Sequence, residues 1–276
     1  MSMAASWPRL KRNVTNRIYA IRYAHLDRTS DKNFLGGDDH AHPMPIDYYV
    51  WVIKGTHNVV VDTGFDSTAA ARRGRTLIRP VAEGLAAIDV DPKDVSDVVI
   101  THMHYDHAGN MALFPRARFH VQDAEMAYCT GRAMTHPHLS AFFEAENVVE
   151  MVRRVFDGRV IFHAGDSVLY PGVTLHHLPG HTLGLQAVRV ETGRGSVVLA
   201  SDAAHFWANL ERETPYPVVA DVPQYLESLR ALRKLAASID HIIPGHDPEV
   251  LVRFPAEAGV TDIVRLDLAP VARAAT

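Results

Sequence analysis

The chain carries a single cysteine, Cys129, among 276 residues. No intramolecular disulfide is available, and such a composition suits a reducing compartment. Any continuous apolar stretch long enough to cross a bilayer is also lacking. The basic residues near the start, Arg9, Lys11 and Arg12, precede no apolar segment of the kind a secretory signal needs. These absences lead to the expectation of a cytoplasmic protein with no membrane partner. Excess positive charge is missing too: the formal net charge is −4, which offers no broad field for phosphates and argues against a nucleic-acid partner. No repeat of about 20–50 residues recurs, which excludes the solenoid classes. With 47% hydrophobic and 22% charged residues, the chain is long enough to bury a full core, and one large domain is the simplest organisation.

Histidine, by contrast, is abundant, at 17 residues, and it is concentrated where it matters. The apolar run Asp97-Val98-Val99-Ile100 reads as a buried strand, and Thr101-His102-Met103-His104-Tyr105-Asp106-His107 follows it directly. Side chains two apart on an extended segment point the same way, so His102 and His104 are placed to grip one ion. Asp106 and His107 then project from the turn. A catalytic ion needs about three protein ligands plus a water, so four donors in this short stretch suggest a second ion nearby. A polar surface loop with chance histidines is the bland alternative, and the placement after a buried strand weighs against it.

Other elements are legible from pattern. Residues 1–14 are expected to form a loose arm and residues 15–276 a single domain. Arg17–Tyr23 is a strand candidate, and Tyr48–Ile53 and Asn58–Val61 flank a short turn as a hairpin. Asp62, at a strand end beside Thr63-Gly64, is expected to fix its loop by accepting backbone N–H bonds rather than to bind metal. A helix is expected from Val81 to Ile88, with Pro80 at its start, and another from Asp123 as N-cap to Cys129. Strands are expected from Arg159 to Ala200, as a second sheet. Asp221 with Gln224 resembles a capping box for a helix whose Val222, Leu226, Leu229 and Leu232 share a face, and His241–Ile243 is read as the last strand. His120, His163, His176 and His177 fit no ligand pattern and are read as structural. Segments near 26–44, 130–155 and 205–220 are candidate lids over a site, with an amphipathic helix packed on a sheet edge as the alternative for 130–155.

The His-x-His-x-Asp-His run is similar to the signature of the metallo-β-lactamase superfamily. Further along stand Pro179-Gly180-His181, Leu199-Ala200-Ser201-Asp202 and Pro244-Gly245-His246, in the family's order, with Val61-Asp62-Thr63-Gly64 upstream. This resemblance spans roughly residues 15–255 and implies an αββα sandwich of two mixed sheets flanked by helices, with metals at one sheet edge. It assigns His102, His104 and His181 to one metal, Asp106, His107 and His246 to another, and Asp202 as a bridge. The donors are all nitrogen and oxygen, which suits two divalent ions, zinc first and iron, manganese or cobalt as alternatives.

Within the superfamily the chain looks most like the N-acyl-homoserine lactonases, through its complete ligand set and the Gly245-His246-Asp247-Pro248 ending. The resemblance implies a quorum-quenching type of hydrolase that opens a lactone or other small ester, with Asp106 and Asp202 as candidates to protonate the leaving oxygen. Two departures stand out. Where those lactonases commonly have a tyrosine three residues after the bridging Asp, this chain has His205, and a histidine often found after the Pro-Gly-His turn is Leu185 here. His205 is a candidate donor to the substrate carbonyl, with an extra metal ligand or a packing residue as the other readings. The competing functions are a thioester hydrolase of the glyoxalase II kind, another cyclic ester or amide hydrolase, and a non-enzymatic metal-bearing binding or redox module. Both monomer and homodimer are compatible with the sequence.

Overall fold

A computed structural model describes residues 16–271; the expected N-terminal arm lies outside them. Two sheets face one another. The first is mixed: Arg17–Leu26, Ile46–Lys54 and Val59–Val61 run antiparallel, and Asp97–Val99, Arg118–Gln122 and Val160–His163 continue from the last of these in parallel. In the second, Ser167–Tyr170, Val173–His177, Gln186–Thr192 and Gly195–Ser201 are antiparallel neighbours, and Ile242–Pro244 adds in parallel to Gly195–Ser201.

The period of two in the strands explains the layers. Ile18, Ala20, Val59 and Val61 join a core shared with Leu175, Ala187, Val188 and Val198 of the second sheet, whereas Tyr19, Ile21 and Val60 join an outer core with Leu85 of one helix and Met151 of another. Alternate side chains of one strand therefore serve opposite faces, and both faces are apolar because helices cover the outside. Across the second sheet the helix Val222–Leu235 buries Tyr225, Leu229 and Leu232. This is the expected αββα sandwich.

The details depart from the sequence reading in instructive places. The strand expected at Arg17–Tyr23 continues to Leu26, and Ile263–Arg265, not His241–Ile243, is the last strand; it pairs antiparallel with Tyr19–Ile21. Three residues are too few for a periodicity to show. The helix after Pro80 ends at Ala86, and the helix expected to be capped by Asp123 has Gln122 in the cap position, one residue earlier. Asp221 does accept from the Gln224 N–H at 2.9 Å, yet the Gln224 amide returns to the Asp221 carboxylate at 2.8 Å rather than to its backbone. The 130–155 segment splits into Pro137–Ser140 and the amphipathic helix Ala145–Phe156.

Candidate metal centre

Four chain segments end at one edge of the sandwich. The strand Asp97–Val99 delivers Thr101 to His107, Gly195–Ser201 delivers Asp202, Ile242–Pro244 delivers His246, and the turn after Val173–His177 delivers His181. Glycine permits the closest approach: a Cβ on Gly245 would lie 2.8 Å from both Asp202 Oδ1 and the Ser201 backbone. Asp62 adopts the left-handed backbone conformation, with φ of 63°, and its carboxylate accepts the Thr101 N–H at 2.8 Å, as expected of a loop-fixing residue. Its Oδ2 also accepts from His107 Nδ1 at 2.7 Å, so the same carboxylate orients a site imidazole.

All seven sequence-predicted donors come together, and all are buried. Ring nitrogens of His102, His104 and His181 converge, as do donor atoms of Asp106, His107 and His246, each set lying within 4.8 Å of one another. Asp202 stands between the sets. Its Oδ2 is 3.2 Å from His181 Nε2 and 3.9 Å from His102 Nε2, and its Oδ1 is 3.0 Å from His246 Nε2 and 3.3 Å from His107 Nε2.

Whether these residues fit metal ions is decided by where the protons sit. His181 Nδ1 faces the Val218 carbonyl at 2.7 Å, His246 Nδ1 faces the Asp47 carbonyl at 2.9 Å, and His107 Nδ1 faces Asp62. These partners only accept, so each Nδ1 carries the proton and each neutral ring turns a bare Nε2 lone pair inward. Those lone pairs face carboxylate oxygens, a repulsive arrangement unless a cation lies between. His107 Nε2 is buried without any hydrogen-bond partner, the mark of a missing charge. The donor set fits divalent cations.

Electrostatics point the same way. Burial and the neighbouring imidazoles hold His102 and His104 well below the ordinary histidine range, and burial brings His181 down to about 3. Burial also opposes charge on His107, but Asp202, Asp106 and Asp62 outweigh it and hold His107 well above its usual value. Asp202 is pushed up by burial yet held well below the carboxylate range by His205, His246, His107 and His181. This carboxylate field calls for positive charge at the His107 and His246 end, which a cation would supply in place of ring protons, and leaves nitrogen lone pairs free at the other.

His205 belongs to the cluster. Its Nε2 is 3.0 Å from Asp202 Oδ2, its Nδ1 is buried without a partner, and its ring stacks on Tyr216 with centroids 3.6 Å apart. A cleft open to solvent lies over the donors. Leu26 and Arg28, Phe142, and Tyr216 and Val218 line it, so each of the three candidate lid segments contributes to the wall. Three supporting residues went unread in the sequence. Glu125 accepts from Met103 N at 2.8 Å, Thr182 Oγ1 at 2.6 Å and Gly184 N at 3.1 Å, tying the two histidine loops together. Asp47 holds His246 through its backbone, and Tyr216 presents a phenol without a hydrogen-bond partner among the described residues. The one available signal was Gly184, where a Cβ would lie 2.0 Å from the Glu125 nitrogen.

A buried, all-nitrogen-and-oxygen donor set at the edge of an αββα sandwich, beneath an open cleft, fits a metal-dependent hydrolase. The chain belongs to the metallo-beta-lactamase superfamily, which it matches over residues 44–246. It is 28% identical over 207 residues to an N-acyl homoserine lactonase of Bacillus thuringiensis subsp. kurstaki, covering 69% of this chain and 77% of that protein. A probable metallo-hydrolase of Mycobacterium tuberculosis is 29% identical over 221 residues, covering 70% of this chain and 69% of the other. Among solved structures, a quorum-quenching N-acyl homoserine lactone lactonase superposes with a TM-score of 0.71 at 23% identity, over 87% of this chain and 95% of that one. AidC, a dizinc quorum-quenching lactonase, gives 0.65 at 17% identity, over 86% and 90%. No helix among the described residues is long and apolar enough to cross a membrane.

Proposed function

We propose that the protein opens a lactone ring at a dinuclear centre: His102, His104 and His181 would hold one ion and Asp106, His107 and His246 the other, with Asp202 facing both sets. The observation that carries this reading is the convergence of inward-facing ring nitrogens on a two-faced Asp202, beneath a cleft open to solvent. Zinc is the first candidate because the five imidazoles and two carboxylates are nitrogen and oxygen donors of borderline hardness. Such ions supply Lewis acidity and bring the pKa of water to about 7.

The chain's own groups then have assignable tasks. His205 and Tyr216, stacked beside Asp202, are placed to donate to the ester carbonyl as negative charge develops on it. As water adds to the carbonyl its proton passes to Asp106 or Asp202, the carboxylates lining the cavity, and when the ring C–O bond breaks that proton is handed to the departing alkoxide. The product is an open-chain hydroxy acid. The segments 26–44, 130–155 and 205–220 act as the cavity's cover, and residues 16–271 work as one domain. N-acyl-homoserine lactones are candidate substrates, given the similarity to the Bacillus N-acyl homoserine lactonase.

The test is zinc-reconstituted protein assayed on lactones of graded ring size and acyl length, with a glutathione thioester and a β-lactam as controls. Turnover confined to lactones is expected. Full metal loading with no lactone opened anywhere in the series refutes the reading.

A further inference from the structure

The cavity wall holds two guanidinium groups, Arg28 and Arg75, that the chemistry above does not use. They reach it from neighbouring positions. Thr76 pairs with His25 and Leu77 with Ala24 in an antiparallel ladder, so Arg75 leads into the same rim that Arg28 leaves. Outside this cavity, Arg159 and Arg194 donate only to backbone carbonyls, but other half-buried arginines are matched with carboxylates: Arg22 with Asp47 and Asp262, Arg73 with Glu144, Arg79 with Asp262, Arg265 with Asp267. The cavity pair is not. Arg75 donates through Nε to the Tyr105 hydroxyl at 3.1 Å and through a terminal nitrogen to the Arg73 carbonyl at 2.6 Å. Arg28 donates to the Lys32 carbonyl at 2.5 Å, its guanidinium lies 5.4 Å from the Tyr216 ring centroid, and its Nε is buried without a partner. Neither forms an ion pair among the described residues.

Charge around the cavity therefore does not balance. Asp106 and Asp202 are the only carboxylates among its lining residues, and both face the donor cluster. Two divalent cations would outweigh them, leaving both arginines as surplus positive charge in a partly desolvated cleft. A guanidinium is planar, permanently charged and matched in shape to a carboxylate, so an unpaired pair of them at a binding site selects for that group.

We propose that Arg28 and Arg75 form an anion subsite, and that the substrate is a lactone carrying a carboxylate beside the ring rather than a wholly neutral one. This rests on the lactonase reading for the ring chemistry, but the subsite is separable from it. The arginines hold the substituent, so the scissile ester is delivered to the donor cluster in one orientation.

The experiment compares 5-oxotetrahydrofuran-2-carboxylate with its carboxamide, which has the same ring and nearly the same shape. Zinc-loaded wild-type protein is expected to favour the carboxylate by about tenfold or more in kcat/KM, as a charge-assisted contact implies. R28Q and R75Q should each remove most of that preference, raising KM for the carboxylate well beyond any change they cause with the carboxamide. Equal rates on both compounds in the wild type, or equal losses on both in the variants, overturn the subsite. If wild type opens neither compound, the lactonase reading fails at this ring. The subsite is then decided by calorimetry with glutarate: binding by the zinc-loaded wild type that the R28Q/R75Q protein loses upholds it, and equal affinity in the two refutes it.

Discussion

Two buried clusters of histidine and aspartate sit near the two ends of one short strand. Beyond the end of Asp97–Val99 lies the seven-donor centre; at its beginning, Asp97 accepts from His120 Nε2 at 3.0 Å, His120 Nδ1 meets His163 Nε2 at 3.1 Å, and His163 Nδ1 meets Ser167 Oγ at 2.8 Å. The second cluster closes on itself. Ser167 donates to His163, His163 to His120 and His120 to Asp97, with each ring neutral and each nitrogen matched, while Tyr170 and Arg118 satisfy the rest of the carboxylate. It clasps the outer edges of the two sheets. In the first cluster the protons point outward to Asp62, Asp47 and Val218, and the inward nitrogens have nothing to accept from. Composition is alike in the two; the direction of the protons separates a place for cations from a structural network.

Removing the bridge should separate them most. D202N leaves the backbone turn intact but withdraws the charge shared by both donor sets, so kcat/KM should fall by more than the roughly 10–100-fold typical of an outer partner, with metal content halved or lower by elemental analysis. Retention of both ions and of activity would reduce Asp202 to a bystander. D62N acts one shell out. The His107 ring loses its fixed orientation, and a loss of about 10–100-fold in metal affinity or rate is expected, measured by competition with a chelator. The corresponding change in the closed cluster, H120Q, should leave metal stoichiometry and rate untouched and lower stability by about 1–3 kcal/mol, the cost of leaving a buried acceptor unmatched, read from denaturant midpoints. Should H120Q strip metal instead, the two clusters are one system.

How much of this was readable before folding follows from what is local. His102, His104, Asp106 and His107 lie in one run that marks itself, and His181, Asp202 and His246 each sit in a short glycine- or strand-marked motif that the family resemblance picks out. Their supports are carried by distant segments. Glu125 reaches Thr182 and Gly184 from a different helix, Tyr216 reaches His205 across a loop, and Arg28 and Arg75 meet only because Thr76 pairs with His25. The closed cluster is invisible in the sequence for the same reason: His120 and His163 lie on separate strands, and nothing local says that they touch. Strands of alternating or continuous apolar residues were legible, whereas Ile263–Arg265 depends on an edge offered by Arg17–Leu26.

The smallest expected effect concerns acid. Burial raises the Asp97 carboxyl, but His120, Tyr170, Ser96 and Arg118 together hold it well below the usual range. Folded protein therefore binds this proton only at lower pH than unfolded protein, whose aspartate titrates near about 3.9. The stabilisation is fully present above that value and is lost as pH falls below it toward the folded pKa, because there the unfolded state takes up more protons. Metal release also occurs in acid, as the imidazoles at the other end of the strand protonate. Comparing the wild type with D97N cancels that contribution, since the donor centre is the same in both. The D97N melting temperature should be lower at neutral pH, and the gap should narrow from pH 5 to pH 3. A constant gap across that range would mean that the Asp97 charge is not what clasps the sheet edges, and that the closed cluster stabilises the fold by packing alone.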